Sequence, residues 1–270
     1  MTKSTLILLS LLFVFFQALG QKADQPSVTT MEETGLWFGA YLKIQFSPKL
    51  GYYGEHHWRV RNSLDDVWSF YGRKRQMYNR FGLNIFFNEY FEGVIGPTLV
   101  LNFTPEPGNP EYEKVTYEPR IWHQWLLKMP QIGRFKIYHQ FRFEHRWKRK
   151  NDVNAEYKYT NRYRYKLFAY IPLNTKKIKP KTFFFSPSAE LFMHSGKSIG
   201  ANPMEDFRTY NGFGYVLNQN ITFFVGHMYT LGQKTSGYEY RSSNILRFNV
   251  FIGLDTQKAE NTIPKINLGY

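Results

Sequence analysis

The 270-residue chain contains no cysteine, and its mean hydropathy is only -0.47. The lack of cysteine excludes a disulfide scaffold, a thiolate zinc site, an iron–sulfur cluster, a cysteine nucleophile and a lipidated N-terminal cysteine. After the first 20 residues, no uninterrupted apolar run reaches the roughly 20 residues that a membrane-spanning helix needs. The sequence therefore argues against redox, disulfide-rich and polytopic helical membrane proteins.

Acidic residues are scarce relative to basic ones, whereas aromatic residues are abundant. The 35 Lys and Arg residues exceed the 21 Asp and Glu residues, and the formal net charge is +14. The 20 Tyr, 25 Phe and 6 Trp residues together outnumber Lys and Arg. Disordered chains are poor in aromatic residues, so a chain of this composition folds. Its length suits one large all-β domain or two ordinary domains.

The N-terminus has the pattern of an export signal. A basic start precedes an apolar run from Leu6 to Phe16, and small residues follow at Ala18 and Gly20, as signal peptidase requires. The run is too short to span a bilayer comfortably, so an N-terminal anchor is the less favoured alternative. We expect cleavage of residues 1–20, which leaves Gln21 as the first residue and lowers the net charge to +13.

From residue 36 onwards, apolar and polar residues alternate with a period of two, the pattern of a strand with one apolar face. Between positions 134 and 148, mostly charged side chains occupy even positions and ring or apolar side chains occupy odd positions. A helix would scatter both kinds around its axis. Eleven segments are predicted as strands: 36–46, 50–61, 76–87, 90–103, 117–129, 134–148, 157–171, 182–193, 206–217, 220–231 and 238–254.

The lengths of these segments and of their connections predict a membrane barrel. Many segments exceed the roughly five or six residues of a soluble strand and suit the roughly 9–11 residues of a tilted transmembrane strand. Short turns, as at 47–49 and 88–89, alternate with longer polar loops, as at 62–75 and 104–116. This alternation is typical of outer-membrane barrels, and a soluble Greek-key sandwich has no reason to show it.

We predict an all-β fold: an up-and-down antiparallel transmembrane β-barrel, a single domain over residues 36–270 that follows an N-terminal segment at 21–35. Bacterial barrels normally have an even strand number with both termini in the periplasm, so we expect twelve strands, within a range of ten to twelve. The twelfth strand has two candidate positions. One lies within residues 22–35, and the other is the tail from Ile263, whose aromatic last residue suits recognition by the barrel-assembly machinery.

The aromatic excess has a place in such a barrel. Backbone polar groups cannot stay unpaired in lipid, so the sheet closes, and aromatic girdles lie near each membrane interface. We expect the aromatic residues near segment ends to serve this role, as at Tyr52, Tyr53, Trp58, Trp122, Trp125, Tyr157 and Tyr159. The alternative is a soluble exported barrel that acts as a binding module and whose apolar face is a protein core.

Several sequence blocks stand in an order that is similar to a known family. The blocks are Glu118–Gln124, Phe141–Arg146, Arg162–Tyr165 with Pro172 and Leu173, Glu190–Phe192, Gly212–Tyr215 and Gly226–Tyr229. With these blocks the chain resembles the exported barrel family of Gram-negative bacteria known as domain of unknown function 2490, over about residues 36–254. The resemblance implies an outer-membrane β-barrel and brings no established activity, cofactor or catalytic residue; the tail after Leu254 departs from the family pattern.

The charged faces of the central strands form the best candidate site. If these faces point inward, carboxylates and guanidiniums of adjacent strands lie within pairing distance, and buried Arg favours bidentate pairing. A salt-bridge network filling the lumen of a structural barrel is one use, and a porin-like narrow channel that selects small anionic solutes is another. The candidate residues are Glu118, Arg120, Gln124, Gln140, Arg142, Glu144, Arg146, Arg162, Arg164, Lys166, Glu190 and Arg247.

A lipid-modifying enzyme of the outer membrane is the remaining alternative, and the sequence gives it little support. Such an enzyme needs Ser, His and an orienting acid or amide in contact. His123, His139 and His145 lie on the apolar face, where a ring at the interface is favoured over a catalytic base. His194 and Ser195 are adjacent in a loop, and neighbours in extended chain point to opposite sides. We therefore expect no catalytic residue, metal or cofactor.

The net positive charge predicts partners in the envelope. Basic side chains at strand ends can pair with phosphates of outer-membrane lipids and lipopolysaccharide. A basic chain often binds nucleic acid, but an exported barrel meets none. We therefore expect localisation in the outer membrane of a Gram-negative bacterium after Sec-type export.

Overall fold

The computed structural model describes residues 30–199, 202–234 and 239–256. The predicted export signal, its cleavage residues Ala18, Gly20 and Gln21, and the candidate tail strand from Ile263 lie outside the described residues. Within the described ranges, no helix is long and apolar enough to cross a membrane. Helical structure there is limited to a 3₁₀ turn at Val67–Ser69.

The described residues form a closed β-barrel. Each strand pairs antiparallel with the next along the chain, and the first strand pairs in parallel with the last. The strands are β1 (Thr30–Gln45), β2 (Leu50–Arg61), β3 (Arg73–Phe86), β4 (Phe91–Phe103), β5 (Val115–Lys128), β6 (Lys136–Lys148), β7 (Lys158–Pro172), β8 (Phe183–Ser195), β9 (Met204–Val216), β10 (Ile221–Gln233) and β11 (Tyr240–Asp255).

The prediction of an all-β barrel is confirmed, and each of the eleven predicted segments is a strand. The prediction of twelve strands is wrong. The parallel register runs from Thr30 opposite Tyr240 to Gln45 opposite Asp255, so β1 and β11 leave no free edge for another strand. An even number is needed only when the closing pair is antiparallel, and parallel closure permits an odd number. The ends at Thr30 and Asp255 consequently lie at opposite ends of the barrel.

The connections define two ends of the barrel. We call one the short-turn end; it carries the connections 46–49, 87–90, 129–135, 173–182 and 217–220. The other is the long-loop end, with the connections 62–72, 104–114, 149–157, 196–203 and 234–239.

Side chains alternate between the inside and the outside along each strand, because successive residues of a strand point to opposite faces. In β6, Arg142 and Glu144 are buried inside, whereas Phe141 and Trp147 are exposed on the outer surface. Ile95, Ile121 and other apolar residues are likewise exposed on the outer surface. The barrel therefore has an apolar outer face, and polar side chains such as those of Arg142 and Glu144 line its lumen.

Candidate functional site: a charged lumen

The structure places all twelve residues predicted for the lumen on the inner face of the barrel. Arg162, Arg164, Lys166 and Arg247 are partly buried. The remaining eight are buried: Glu118, Arg120, Gln124, Gln140, Arg142, Glu144, Arg146 and Glu190.

Glu144 on β6 is the junction of the network. Its carboxylate is fully buried and accepts hydrogen bonds from Arg120 at 2.7 Å, Arg164 at 2.9 Å and Arg80 at 3.0 Å. The guanidinium of Arg162, directly opposite on β7, lies at 3.5 Å. These four cations come from β3, β5 and β7, so one side chain ties together strands from different sides of the lumen.

Two further carboxylates extend this network across the lumen. Glu55 on β2 accepts from Arg80 at 2.6 Å and lies 3.3 Å from Arg142. Glu205 on β9 accepts from Arg162 at 2.6 Å and from Arg146 at 2.9 Å. Because Arg80 contacts both Glu55 and Glu144, a continuous chain of ion pairs crosses the barrel at the height of Glu144.

Sequence reasoning missed three members of this network: Glu55, Arg80 and Glu205. The sequence pattern that could have identified Glu55 was present, since every second residue of the segment 50–61 from Glu55 onwards is ionisable. Alternation places such residues on one face, but it does not show which side chains meet across the lumen. Arg80 and Glu144, for example, belong to strands that are not neighbours in the sheet.

Towards the short-turn end, the lumen is filled by a buried layer of aromatic rings. Tyr138 stacks on Phe168 with the ring centroids 4.9 Å apart, and Tyr170 and Phe184 meet edge to face at 5.3 Å. Phe184 also lies parallel to Phe224 at 6.1 Å. Aromatic pairs at such distances pack as in a protein core. We call these five residues the aromatic layer; it lies between the ion pairs and the short-turn end.

Two aromatic residues expected at the membrane interface also lie inside, so that prediction is wrong for Tyr53 and Trp122. The two rings pack together with centroids 5.8 Å apart. The indole N–H of Trp122 donates to the carbonyl oxygens of Phe81 and Pro97, each at 3.2 Å. Proline has no N–H for the sheet ladder, so the indole supplies a donor at this point between β3 and β4.

A buried ion cluster stands at the short-turn end itself. The carboxylate of Glu92 on β4 accepts from Lys43 at 2.5 Å and from Lys128 at 2.7 Å. Glu92 is only 1% exposed. This cluster joins the ends of β1, β4 and β5 and adds a polar layer below the aromatic one.

At the long-loop end, the lumen opens into a vestibule of about 540 Å³. Its walls carry many more Lys and Arg residues than carboxylates. Glu33 on β1 meets Arg61 at 3.8 Å, Arg241 at 3.7 Å, and Arg75. The guanidinium of Arg59 lies between two aromatic rings of the wall. The vestibule is therefore an opening lined mainly by cations, and aromatic rings pack against one of them, Arg59.

An ion pair ties two long loops together at the rim of the vestibule. Arg149, which follows β6, donates to Glu113 before β5, with one of its two hydrogen bonds at 2.6 Å. These hydrogen bonds from Arg149 hold the pKa of the Glu113 carboxyl below its usual range. The loop 104–114 is thereby held against the start of the connection that follows β6.

His139, His145 and His194 form hydrogen bonds to neutral groups. His139 and His145 lie on the outer face, where their Nδ1 atoms contact Tyr165 at 2.8 Å and Asn161 at 2.7 Å. His194 contacts the carbonyl oxygen of Asn202, whereas the neighbouring Ser195 hydroxyl contacts Tyr163. Among the described residues, no three His, Asp or Glu side chains are placed to hold a metal ion.

Comparison with known proteins gives a family and one structural likeness. The NanC porin, solved in a rhombohedral crystal form, is 11% identical over 78% of this chain and 90% of the porin chain, with a TM-score of 0.46. No curated protein matches the chain. The family described as "Protein of unknown function (DUF2490)" matches residues 34–241. Because this match spans most of the sequence, the chain belongs to the DUF2490 family.

Proposed function

We propose that the protein is an outer-membrane β-barrel whose own side chains close its lumen, and whose long-loop end presents a cationic vestibule to the outside. Of the two uses expected for the charged lumen, a structural barrel therefore takes precedence over a narrow channel. The observation that carries this proposal is the Glu144 junction, where four guanidiniums from three strands meet one buried carboxylate.

The junction and the aromatic layer together oppose the passage of solutes. Removing one partner from a buried ion pair costs about 3–5 kcal/mol, because a charge is left without compensation. A solute that passed the height of Glu144 would have to separate several such pairs. It would then meet Tyr138, Phe184 and the other rings of the aromatic layer, which are packed against one another. A solute that entered from the long-loop end would therefore meet the ion pairs around Glu144 first and the aromatic layer second.

The outer surface supports a membrane location. Phe213, Ile121 and Ile95 are each at least half exposed on different strands, and contiguous apolar surface of this kind marks contact with lipid or protein. The strands are long, from 12 residues in β2 to 16 in β1 and β11, and a tilted transmembrane strand needs about 9–11. Exposed aromatic and basic side chains at strand ends then contact lipid headgroups and lipopolysaccharide.

The charge of the vestibule supports a role at the outside. Long loops of outer-membrane barrels are extracellular and short turns are periplasmic. Walls lined mainly by one sign of charge raise the local concentration of ions of the opposite sign. Small anionic solutes are therefore the molecules that this vestibule attracts.

Single cysteine variants test the proposal, because the natural chain contains no cysteine. Lys150→Cys lies in a long loop, Lys49→Cys in a short turn, and Ser186→Cys inside the lumen. A membrane-impermeant thiol reagent added to intact cells should label only Lys150→Cys. After the outer membrane is permeabilised, it should also label Lys49→Cys, and Ser186→Cys should stay unlabelled.

Each departure from this pattern contradicts a specific part of the proposal. Labelling of Ser186→Cys in the folded barrel would show an open lumen. Labelling of Lys49→Cys in intact cells would reverse the orientation. Recovery of the protein in the soluble fraction would contradict the membrane location, and it would favour the soluble binding module.

A further inference from the structure

A small cavity of about 60 Å³ lies in the middle of the lumen and has an unbalanced charge. Eight Arg or Lys side chains line it, whereas its carboxylates are Glu55 and Glu190. Some of the cations pair with carboxylates beyond the cavity wall, as Arg164 does with Glu144. The cavity nevertheless holds more positive charge than its surroundings neutralise.

Three of the lining cations have no carboxylate oxygen within 4.0 Å in the described part of the chain: Arg59, Lys166 and Arg247. They come from β2, β7 and β11, on different sides of the lumen. Arg247 donates to the hydroxyl of Tyr41 and to Asn249, which are both neutral. The ammonium group of Lys166 lies 4.7 Å from the centre of a phenyl ring.

Arg59 is the most confined of the three. It is more than nine-tenths buried, and its guanidinium lies 3.8 Å from the ring of Trp37 and 4.1 Å from the ring of Tyr78. One amino group donates to the amide oxygen of Gln76 at 3.2 Å, and the buried Nε has no hydrogen-bond partner. The guanidinium therefore packs against two rings, and one of its donors is unused.

Uncompensated cations in such a place need a counter-ion. A buried charge is costly unless it is paired or neutralised. A lysine can lose its proton, but an arginine cannot do so in a protein. Arg59 and Arg247 therefore cannot lose their charge by deprotonation. A bound anion is the remaining way to compensate the positive charge of these two side chains.

The size and the donors of the cavity define the class of anion. One water molecule needs about 10–15 Å³ on this measure, so the cavity has room for an anion of about five heavy atoms. Guanidinium groups match the oxygen atoms of phosphate in a two-pronged geometry. The hydroxyl group of Tyr41, which accepts from Arg247, also lines the cavity and can donate to a further oxygen.

We propose that this cavity is a binding site for a tetrahedral oxyanion, either inorganic phosphate or the phosphate group of a larger solute. Arg59, Tyr78, Arg162 and Arg208 border both this cavity and the vestibule, so only side chains separate the two spaces. A phosphate group in the cavity leaves the rest of a larger solute in the vestibule. This site rests on the proposed function, because it fills from the long-loop end of a closed barrel.

Calorimetric titration of the purified full-length protein in detergent tests the site, with sodium phosphate, a sugar phosphate and sodium acetate at matched ionic strength. Phosphate should bind, and Lys166→Gln and Arg247→Gln should each weaken its binding at least tenfold. Lys49→Gln, which removes an equal charge from an exposed turn, should leave the affinity unchanged. Tighter binding of the sugar phosphate would identify a larger solute as the ligand, and equal binding would identify free phosphate.

Thermal unfolding in phosphate-free buffer is a second measurement, and it distinguishes loss of the anion site from loss of the fold in a variant that binds phosphate poorly. Because Arg247→Gln removes an uncompensated charge that deprotonation cannot neutralise, it should unfold at a higher temperature than the wild type, and added phosphate should no longer stabilise it. The site is refuted if phosphate fails to bind the folded wild type, if acetate binds equally well, or if Lys49→Gln has the same effect as Lys166→Gln. None of these results would change the cysteine labelling expected for a closed barrel.

Discussion

Replacement of Glu144 by Gln should destabilise the barrel strongly. Glutamine has the shape of glutamate, but it carries no charge and turns one acceptor oxygen into an amide donor. That donor would face guanidiniums that now lie 2.7 to 3.5 Å from the carboxylate. The substitution therefore leaves the packing intact and removes the charge on which the junction depends.

The size of the expected loss of stability depends on the carboxylates that the four arginines still contact after the substitution. Removal of one partner from a buried ion pair costs about 3–5 kcal/mol. Each guanidinium retains another carboxylate: Arg80 contacts Glu55, Arg120 contacts Glu118, Arg162 contacts Glu205, and Arg164 contacts Glu190. The cost should therefore lie near the lower limit of about 3 kcal/mol instead of a multiple of it. For a domain of this size, 1 kcal/mol lowers the midpoint by about 2–4 °C, so we expect a decrease of about 6–12 °C.

Thermal unfolding of the purified protein, followed by the loss of the β-sheet circular dichroism signal, measures this effect. The matched control is Glu156→Gln, because Glu156 is exposed in a long loop. The control should leave the midpoint unchanged. If Glu144→Gln unfolds at the same temperature as the control, the junction does not hold the lumen together, and the reasoning is refuted.

Three further predictions concern other parts of the barrel. Gly96→Ala should prevent normal folding, because its Cβ would lie 2.1 Å from a neighbouring carbonyl oxygen. Gly232→Ala meets no atom closer than 3.8 Å and should be tolerated. The fraction of each variant that remains folded in cold detergent measures the difference. Trp122→Phe leaves two carbonyl oxygens without the indole donor, so the free energy of unfolding should fall by about 1–3 kcal/mol, and an unchanged denaturant midpoint would contradict this. The Glu113 contact with Arg149 should hold its loop at neutral pH: because the folded pKa is depressed below the usual 4.5, this contribution is present above that pH and is lost as the pH falls below it. The protection factors of the loop amides, which correct for the pH dependence of intrinsic exchange, should be lower at low pH than at neutral pH, and equal protection factors would contradict this prediction.

The period of two was sufficient to predict the strands and the inner face of the central ones. In β6, every second residue from Gln140 to Arg146 is charged or polar, and the structure buries all of them. The sequence could not show that β1 closes the barrel in parallel with β11. The polar start of β1 has no alternation, and its partners lie some 210 residues away in the chain.

The contents of the lumen were predictable only in part, because alternation identifies a face but not its contacts. The ion pair of Arg80 with Glu144 joins strands that are three positions apart in the sheet. The aromatic layer was missed for a related reason. Phe168 and Phe184 stand on the inner face near the short-turn end, where rings fill the space that charged side chains occupy further up. An apolar side chain in a strand of this barrel therefore does not always lie on the outer face.

The single-channel current of the purified wild-type protein in a planar lipid bilayer tests the closed lumen most directly. If the ion pairs around Glu144 and the aromatic layer fill the barrel, reconstituted protein should give no stable stepwise conductance. Stable steps whose ion selectivity shifts when Arg142 or Arg164 is replaced by Glu would contradict this result. The protein would then be a narrow anion channel, with these arginines along its path.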